Sequence, residues 1–202
     1  MKASVVAVLG ILLAWPALAS TVVAVDIPTL SQKAQSIVIG RVTKVASRWA
    51  SDKSRVVTDI EVAVFETLKG TSVDKVLLVQ AGGTVEDVRQ VVHGMPSFMP
   101  GEDVFLFLEP RGSARFATVG MAQGKFQLQH GGAADAWVVP DLALAGALLD
   151  ANTGQRLDTQ ANPLKLEEMK RQVRQALVDA SRNPHGPLTQ PEGPTRPATQ
   201  VP

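Results

Sequence analysis

The 202-residue chain is long enough for one packed domain with appendages, and it balances 20 Lys and Arg against 19 Asp and Glu for a net charge of +1. That balance provides no general electrostatic pull towards nucleic acid or an anionic membrane, and three Trp, six Phe and no Tyr leave few platforms for stacking bases or sugars. The absence of cysteine excludes thiol catalysis, Cys-based zinc or iron–sulfur sites, a lipid anchor on an N-terminal Cys, and any disulfide, so packing alone must hold the domain.

The chain opens with MKASVVAVLGILLAWPALA. One Lys, an apolar run from Val5 to Trp15, Pro16 and then Ala17-Leu18-Ala19 form the pattern of a secretory signal peptide over 1–19. The apolar run is short for a membrane span, so cleavage after Ala19 and a secreted or periplasmic product without a stable membrane anchor are expected. Lys2 is the leader's only charged residue, which leaves 19 basic against 19 acidic groups in the rest. Residues 20–26 are expected to be a flexible mature N-terminus, and 27–182 a single domain.

Ile27 to Ser36 carries Pro28 near its start and Leu30 and Ala34 at helical spacing, which predicts a short helix. Ile37 to Val45 is then a strand, apolar on both faces at its start as expected where both sides are covered. Gly40 in its interior predicts a bulge or bend. RWASDKSR, 48–55, reads as a polar hairpin loop. Val56 to Gly70 is the longest predicted strand. Val56, Ile60, Val62, Val64 and Leu68 share one parity while Asp59, Glu61, Thr67 and Lys69 take the other, the signature of one buried and one wet face.

Val73 to Gln80 predicts a third strand, ended by Ala81-Gly82-Gly83, and Asp87 to His93 a less regular fourth. GMPSFMPGED, 94–103, has two Pro and two Gly and reads as a loop. Val104 to Leu108, VFLFL, is a continuous apolar run expected to be a fully buried strand. Phe116 to Gly120 and Lys125 to Gln129 flank Met121-Ala122-Gln123-Gly124 and predict a hairpin. From 131 to 161 the pattern weakens, with Trp137 to Val139 and Leu142 to Leu149 apolar. Asn162-Pro163 is expected to open a helix whose apolar stripe is Leu166, Met169, Val173 and Leu177, with Glu167 and Glu168 early and Arg171, Arg174 and Arg182 late, in keeping with the helix dipole. The Pro- and Gly-rich stretch 183–202 is expected to be disordered. The fold expected from this order is mainly β, a small OB-like barrel with a short N-terminal helix and a C-terminal helix.

Ile39-Gly40-Arg41-Val42, Thr67-Leu68-Lys69-Gly70, the run Pro100 to Leu108 and GMAQGKF at 120–126 together resemble a family of uncharacterised secreted bacterial proteins. More distantly they resemble the netrin-like, OB-type domains of tissue inhibitors of metalloproteinases. The resemblance covers about residues 27–129 and implies a barrel with a protein partner, such as a secreted protease. In those inhibitors an N-terminal Cys reaches the target's zinc; this chain has no Cys, so that contact is not implied.

No catalytic spacing stands out. His93 and His130 each precede Gly at a strand end, where Asp87, Asp103 or Asp135 could join them, but no H-x-H or H-E-x-x-H pattern supports a metal site. Ser97, His93 and Asp87 lack a Gly-x-Ser-x-Gly elbow. Gly82-Gly83 lacks the remainder of a phosphate loop. Arg41, Lys44, Arg48, Lys53 and Arg55 make the first hairpin basic, with Trp49 the one aromatic beside them. Met95, Phe98 and Met99 on a Pro- and Gly-bounded loop are the candidate binding residues, with Arg48 and Trp49, since Met and Phe on such a loop form an adaptable contact surface. The alternative is that Phe98 plugs the barrel end. The expectation is a secreted non-enzymatic binding module that engages a secreted protein or protease, with no nucleic acid partner, no cofactor and no metal. The alternatives are a hydrolase using His93 or His130, and a structural envelope protein.

Overall fold

In the computed structural model, residues 21–130, 136–141, 147–149, 155 and 163–182 are described. The expected leader at 1–19 and tail at 183–202 lie outside them. In chain order the elements are β1 (Thr21–Val23), α1 (Ile27–Lys33), β2 (Ser36–Trp49), β3 (Val56–Lys69), β4 (Lys75–Ala81), β5 (Gly83–Val85), β6 (Val88–Gln90), β7 (Asp103–Pro110), β8 (Phe116–Thr118), a 3-10 turn (Met121–Gly124), β9 (Lys125–His130), β10 (Ala136–Pro140), β11 (Ala147–Leu149), β12 (Leu164–Lys165) and α2 (Leu166–Arg182).

The long strands follow from their alternation. β2 and β3 pair antiparallel from Ile37↔Lys69 to Trp49↔Val56, and the register shifts between Ile39 and Gly40, where the interior glycine predicts it. A Cβ on Gly40 would lie 2.2 Å from the Ala63 carbonyl oxygen, so only glycine lets the two backbones approach there. β3 pairs with β4 on its other side, and β2 with β7. β8 joins β4 in parallel and β7 antiparallel, which closes the circuit β2–β3–β4–β8–β7 into a five-stranded barrel. This is the strand order of an OB-type barrel, with the two helices near its ends. β9, β10 and β12 continue the sheet outward from the first half of β7.

Two apolar clusters explain why VFLFL has no polar face. Val104, Leu106 and Leu108 point into the barrel with Val38, Val42, Ile60, Val62, Val76 and Leu78. Phe105 and Phe107 point outward into a second layer with Ile37, Ile39, Leu128 and Val138, covered by Leu30 of α1 and by Met169 and Val173 of α2. The Phe105 and Phe107 rings lie 5.4 Å apart and are fully buried, and burial of each contributes about 1.5–3 kcal/mol. α1 is capped at its start by Asp26, which accepts from Thr29 N–H at 2.8 Å. At its other end Lys69 Nζ donates to the carbonyls of Ser31 (2.8 Å) and Gln32 (3.1 Å), so the last residue of β3 ties down the helix.

Several expectations need correction. The polar stretch 48–55 is not all loop: β2 runs on through Arg48 and Trp49, and the turn whose Ser, Asp, Lys and Arg make the stretch polar occupies only 50–55. β8 and β9 do not form a hairpin with each other. Each pairs with a different half of β7, and the 3-10 turn between them steps from one half to the other. The predicted fourth strand contributes only β6, which pairs with β5 in a small separate ribbon outside the barrel. The C-terminal helix starts at Leu166 and not at Pro163, because Leu164 and Lys165 pair with Val138 and Trp137 of β10. The expected flexible stretch 20–26 contains β1, which pairs in parallel with β11.

Candidate functional site

A barrel of this order is closed by one parallel seam, and here that seam is short. β4 and β8 share a single bridge, Leu78↔Phe116. Past it a cleft of about 470 Å³ opens, within the size range of ligand pockets. Leu78, Gln80 and Ala81 of β4, Ala117 and Thr118 of β8, and Val57 of β3 form its walls, and Met95, Phe98 and Met121 complete them. Arg55, Arg111 and Glu109 are also part of its lining.

The loop that brings Met95 and Phe98 here is fastened from beneath. Lys125, the first residue of β9, is 1% exposed, and its ammonium pairs with Glu102 at 2.9 Å and Asp141 at 3.0 Å. It also donates to the Ser97 carbonyl and lies 4.7 Å from the centre of the Phe98 ring. Ser97 N–H and Oγ both donate to Asp141, and Met99 N–H donates to Glu102 at 2.9 Å. One buried cation thus collects both ends of the 97–102 segment. A lone Lys before Phe gives no sign of this in the sequence, since lysine is almost never fully buried unless paired.

Met121 follows Gly120 with both residues in the left-handed region, at φ 60 and 63, and it is 43% exposed. The turn returns at Gly124, where a Cβ would meet the Val119 carbonyl oxygen at 2.3 Å. The GMAQG motif is therefore a backbone device that presents a methionine at the cleft.

Of the predicted site residues, the structure brings Met95 and Phe98 into this cleft. Phe98 also packs against the barrel's interior cluster, so the plug reading of that ring holds alongside its place in the wall. Met99 is 61% exposed and does not line the cleft. Arg48 and Trp49 do not line it either. Arg48 Nε donates to Asp59 Oδ2 at 2.5 Å, and that bond holds the guanidinium above its ordinary pKa. Trp49 lies half-exposed opposite Val56 at the hairpin end. Sequence reasoning missed Met121, Gln80 and Arg111; alternation in β4 could have placed Gln80 inward with Val76 and Leu78, but nothing local marks the other two.

The histidines do not assemble a reactive centre among the described residues. His130 Nε2 lies 2.9 Å from Asp103 Oδ2, but Asp103 is already held by Arg41 at 2.6 and 2.8 Å. The Arg41 hydrogen bond keeps the Asp103 carboxyl below the usual range against the effect of burial, with His130 in support. His93 makes no hydrogen bond or ion pair among the described residues, and Ser97 donates to Asp141 rather than to a histidine. Among the described residues no group of three His, Asp or Glu is placed to hold a metal ion. No family model matches the chain, and none of the curated proteins matches it.

Proposed function

We propose that this chain is a secreted, non-enzymatic binding module that engages a protein partner through the cleft at the β4–β8 seam. The observation that carries the reading is the cleft itself: an opening of about 470 Å³ at a barrel end, walled by Met95, Phe98 and a Met121 that the backbone holds out at a positive φ. Methionine and phenylalanine at an open site suit an adaptable apolar contact. The leader-like segment at 1–19 supports secretion, and the resemblance of 27–129 to netrin-like inhibitor domains supports a protein, such as a secreted protease, as the partner. The basic first hairpin supports nucleic acid less well, because Arg41 and Arg48 are committed to Asp103 and Asp59.

The test is affinity capture from the extracellular fraction of the source cells with the full chain and with Met121→Glu, which places a charge in the cleft at an exposed position. The proposal expects a stoichiometric partner that the wild type retains and Met121→Glu loses. A partner retained equally by both would move the binding site elsewhere, and capture of nothing would remove the basis of the reading. The hydrolase alternative draws on the His130–Asp103 contact alone; an activity that survives both His93→Ala and His130→Ala would dispose of it.

A further inference from the structure

The register around the cleft fixes where its main-chain groups point. Val64 N–H to Asp74 O and Gly82 N–H to Val56 O, both 2.9 Å, bracket the β3–β4 pairing. In an antiparallel ladder the hydrogen-bonded residues alternate. The even-numbered residues of β4 therefore turn their main-chain groups to β3, and Ala81 turns its own to the opposite side, towards β8. On β8, Val119 N–H donates to Phe107 O at 2.9 Å, so the odd-numbered residues face β7 while Phe116 and Thr118 face β4. Phe116 carries the one bridge, to Leu78. Beyond it no further residue pair of the two strands is bridged, so Ala81 and Thr118 lie outside the β4–β8 ladder. Gln80 Oε1, also at the cleft, is buried and accepts no hydrogen bond from the described residues.

Main-chain groups that lie outside a ladder beside an apolar pocket are what an extended peptide engages when it adds a strand to a sheet edge. The lining also carries a charge preference. Arg55 and Arg111 have no ion pair among the described residues, and Glu109 is the one acid with them. Arg55 also interacts with Asp52, which is not part of the lining, and within the lining two guanidiniums against one carboxylate favour an acidic group on the ligand.

We propose that the β4–β8 cleft takes an extended segment of a partner protein as an added strand along the free side of β4. One apolar side chain of the segment enters between Leu78, Met95 and Met121, and a neighbouring Asp or Glu meets Arg55 and Arg111. The proposal rests on the protein-binding reading above and specifies how the partner is held.

The experiment is selection by the full chain from a displayed library of random pentapeptides, followed by binding of the selected peptide in solution. The expected result is enrichment of an apolar residue flanked by Asp or Glu. N-methylation of the peptide's central amides should abolish binding, because it removes the strand's donors. The double variant Arg55→Glu, Arg111→Glu should weaken binding by about tenfold or more, and salt should weaken wild-type binding in the same direction. With peptide at ten times its Kd, exchange of the Ala81 and Thr118 amides should slow by about tenfold. If the N-methylated peptide binds equally well, or protection falls elsewhere, strand addition is wrong. If no peptide is enriched while Met121→Glu still abolishes partner capture, the binding module stands and this inference falls; if capture fails as well, both fall.

Discussion

Replacing Lys125 by Met keeps the apolar stem and removes only the charge that holds the loop. In the wild type the ammonium is 1% exposed between Glu102, whose side chain is 6% exposed, and Asp141 at 14%. The variant leaves two largely buried carboxylates without their cation, and removal of one partner from a buried ionic network costs about 3–5 kcal/mol. With a urea m-value of about 2 kcal/mol/M, the midpoint should fall by roughly 1.5–2.5 M without a change in slope. The melting temperature should drop by about 6–20 °C for a domain of this size. Tryptophan fluorescence in a urea titration reads the change. The triple variant Lys125→Met, Glu102→Gln, Asp141→Asn removes the whole charge network and should recover most of the loss, because neutral replacement of a complete buried ionic group is often close to neutral. A single variant that loses less than about 1 kcal/mol, or a triple variant that is no better than the single, would refute the assignment of Lys125 as the loop's fastener.

Three further outcomes follow from the packing. Gly40→Ala forces a Cβ to within 2.2 Å of the Ala63 carbonyl oxygen and 2.9 Å of Val62 Cγ1, and should cost about 1–3 kcal/mol by chemical denaturation; a neutral effect would mean that the bulge yields freely. Met169→Ala opens a cavity between α2 and the sheet at a fully buried position and should cost about 2–5 kcal/mol; less than that would show α2 to be loosely docked. Because Arg41 holds the Asp103 carboxyl below its usual range, the stabilisation from that pair is fully present above the unfolded-state value near 3.9 and is lost as pH falls through the lower folded value. The gap in melting temperature between wild type and Arg41→Gln should therefore stay constant above about pH 5 and narrow towards pH 2, and a gap independent of pH would contradict it.

The barrel was legible where a strand's own residues report its surroundings. Alternation marks β3 because one face meets the interior and the other meets water, and VFLFL marks β7 because both of its faces are covered. Gly40 announced its bulge because close backbone approach leaves only one residue type. What stayed hidden depends on partners distant in the chain. Nothing within Phe116–Thr118 or Lys125–His130 tells that each pairs with a different half of β7 instead of with the other. Leu164 and Lys165 make a strand only because β10 offers its edge, which overrode the local Asn-Pro signal for a helix start. Lys125 reads as a surface residue until Glu102 and Asp141 arrive from 23 residues before and 16 after it. The candidate site was half legible for the same reason: the loop composition pointed to Met95 and Phe98, while the opening they border exists because β4 and β8 meet at one residue pair.

The most direct test of the account is amide hydrogen exchange on the full chain, free and saturated with its captured partner. New protection is expected to gather at the seam, in 79–81, 95–98 and 117–121, with α2 and the Arg41–Asp103–His130 face unchanged. Protection confined to α2 or to that outer face, with the seam exchanging as before, would contradict it.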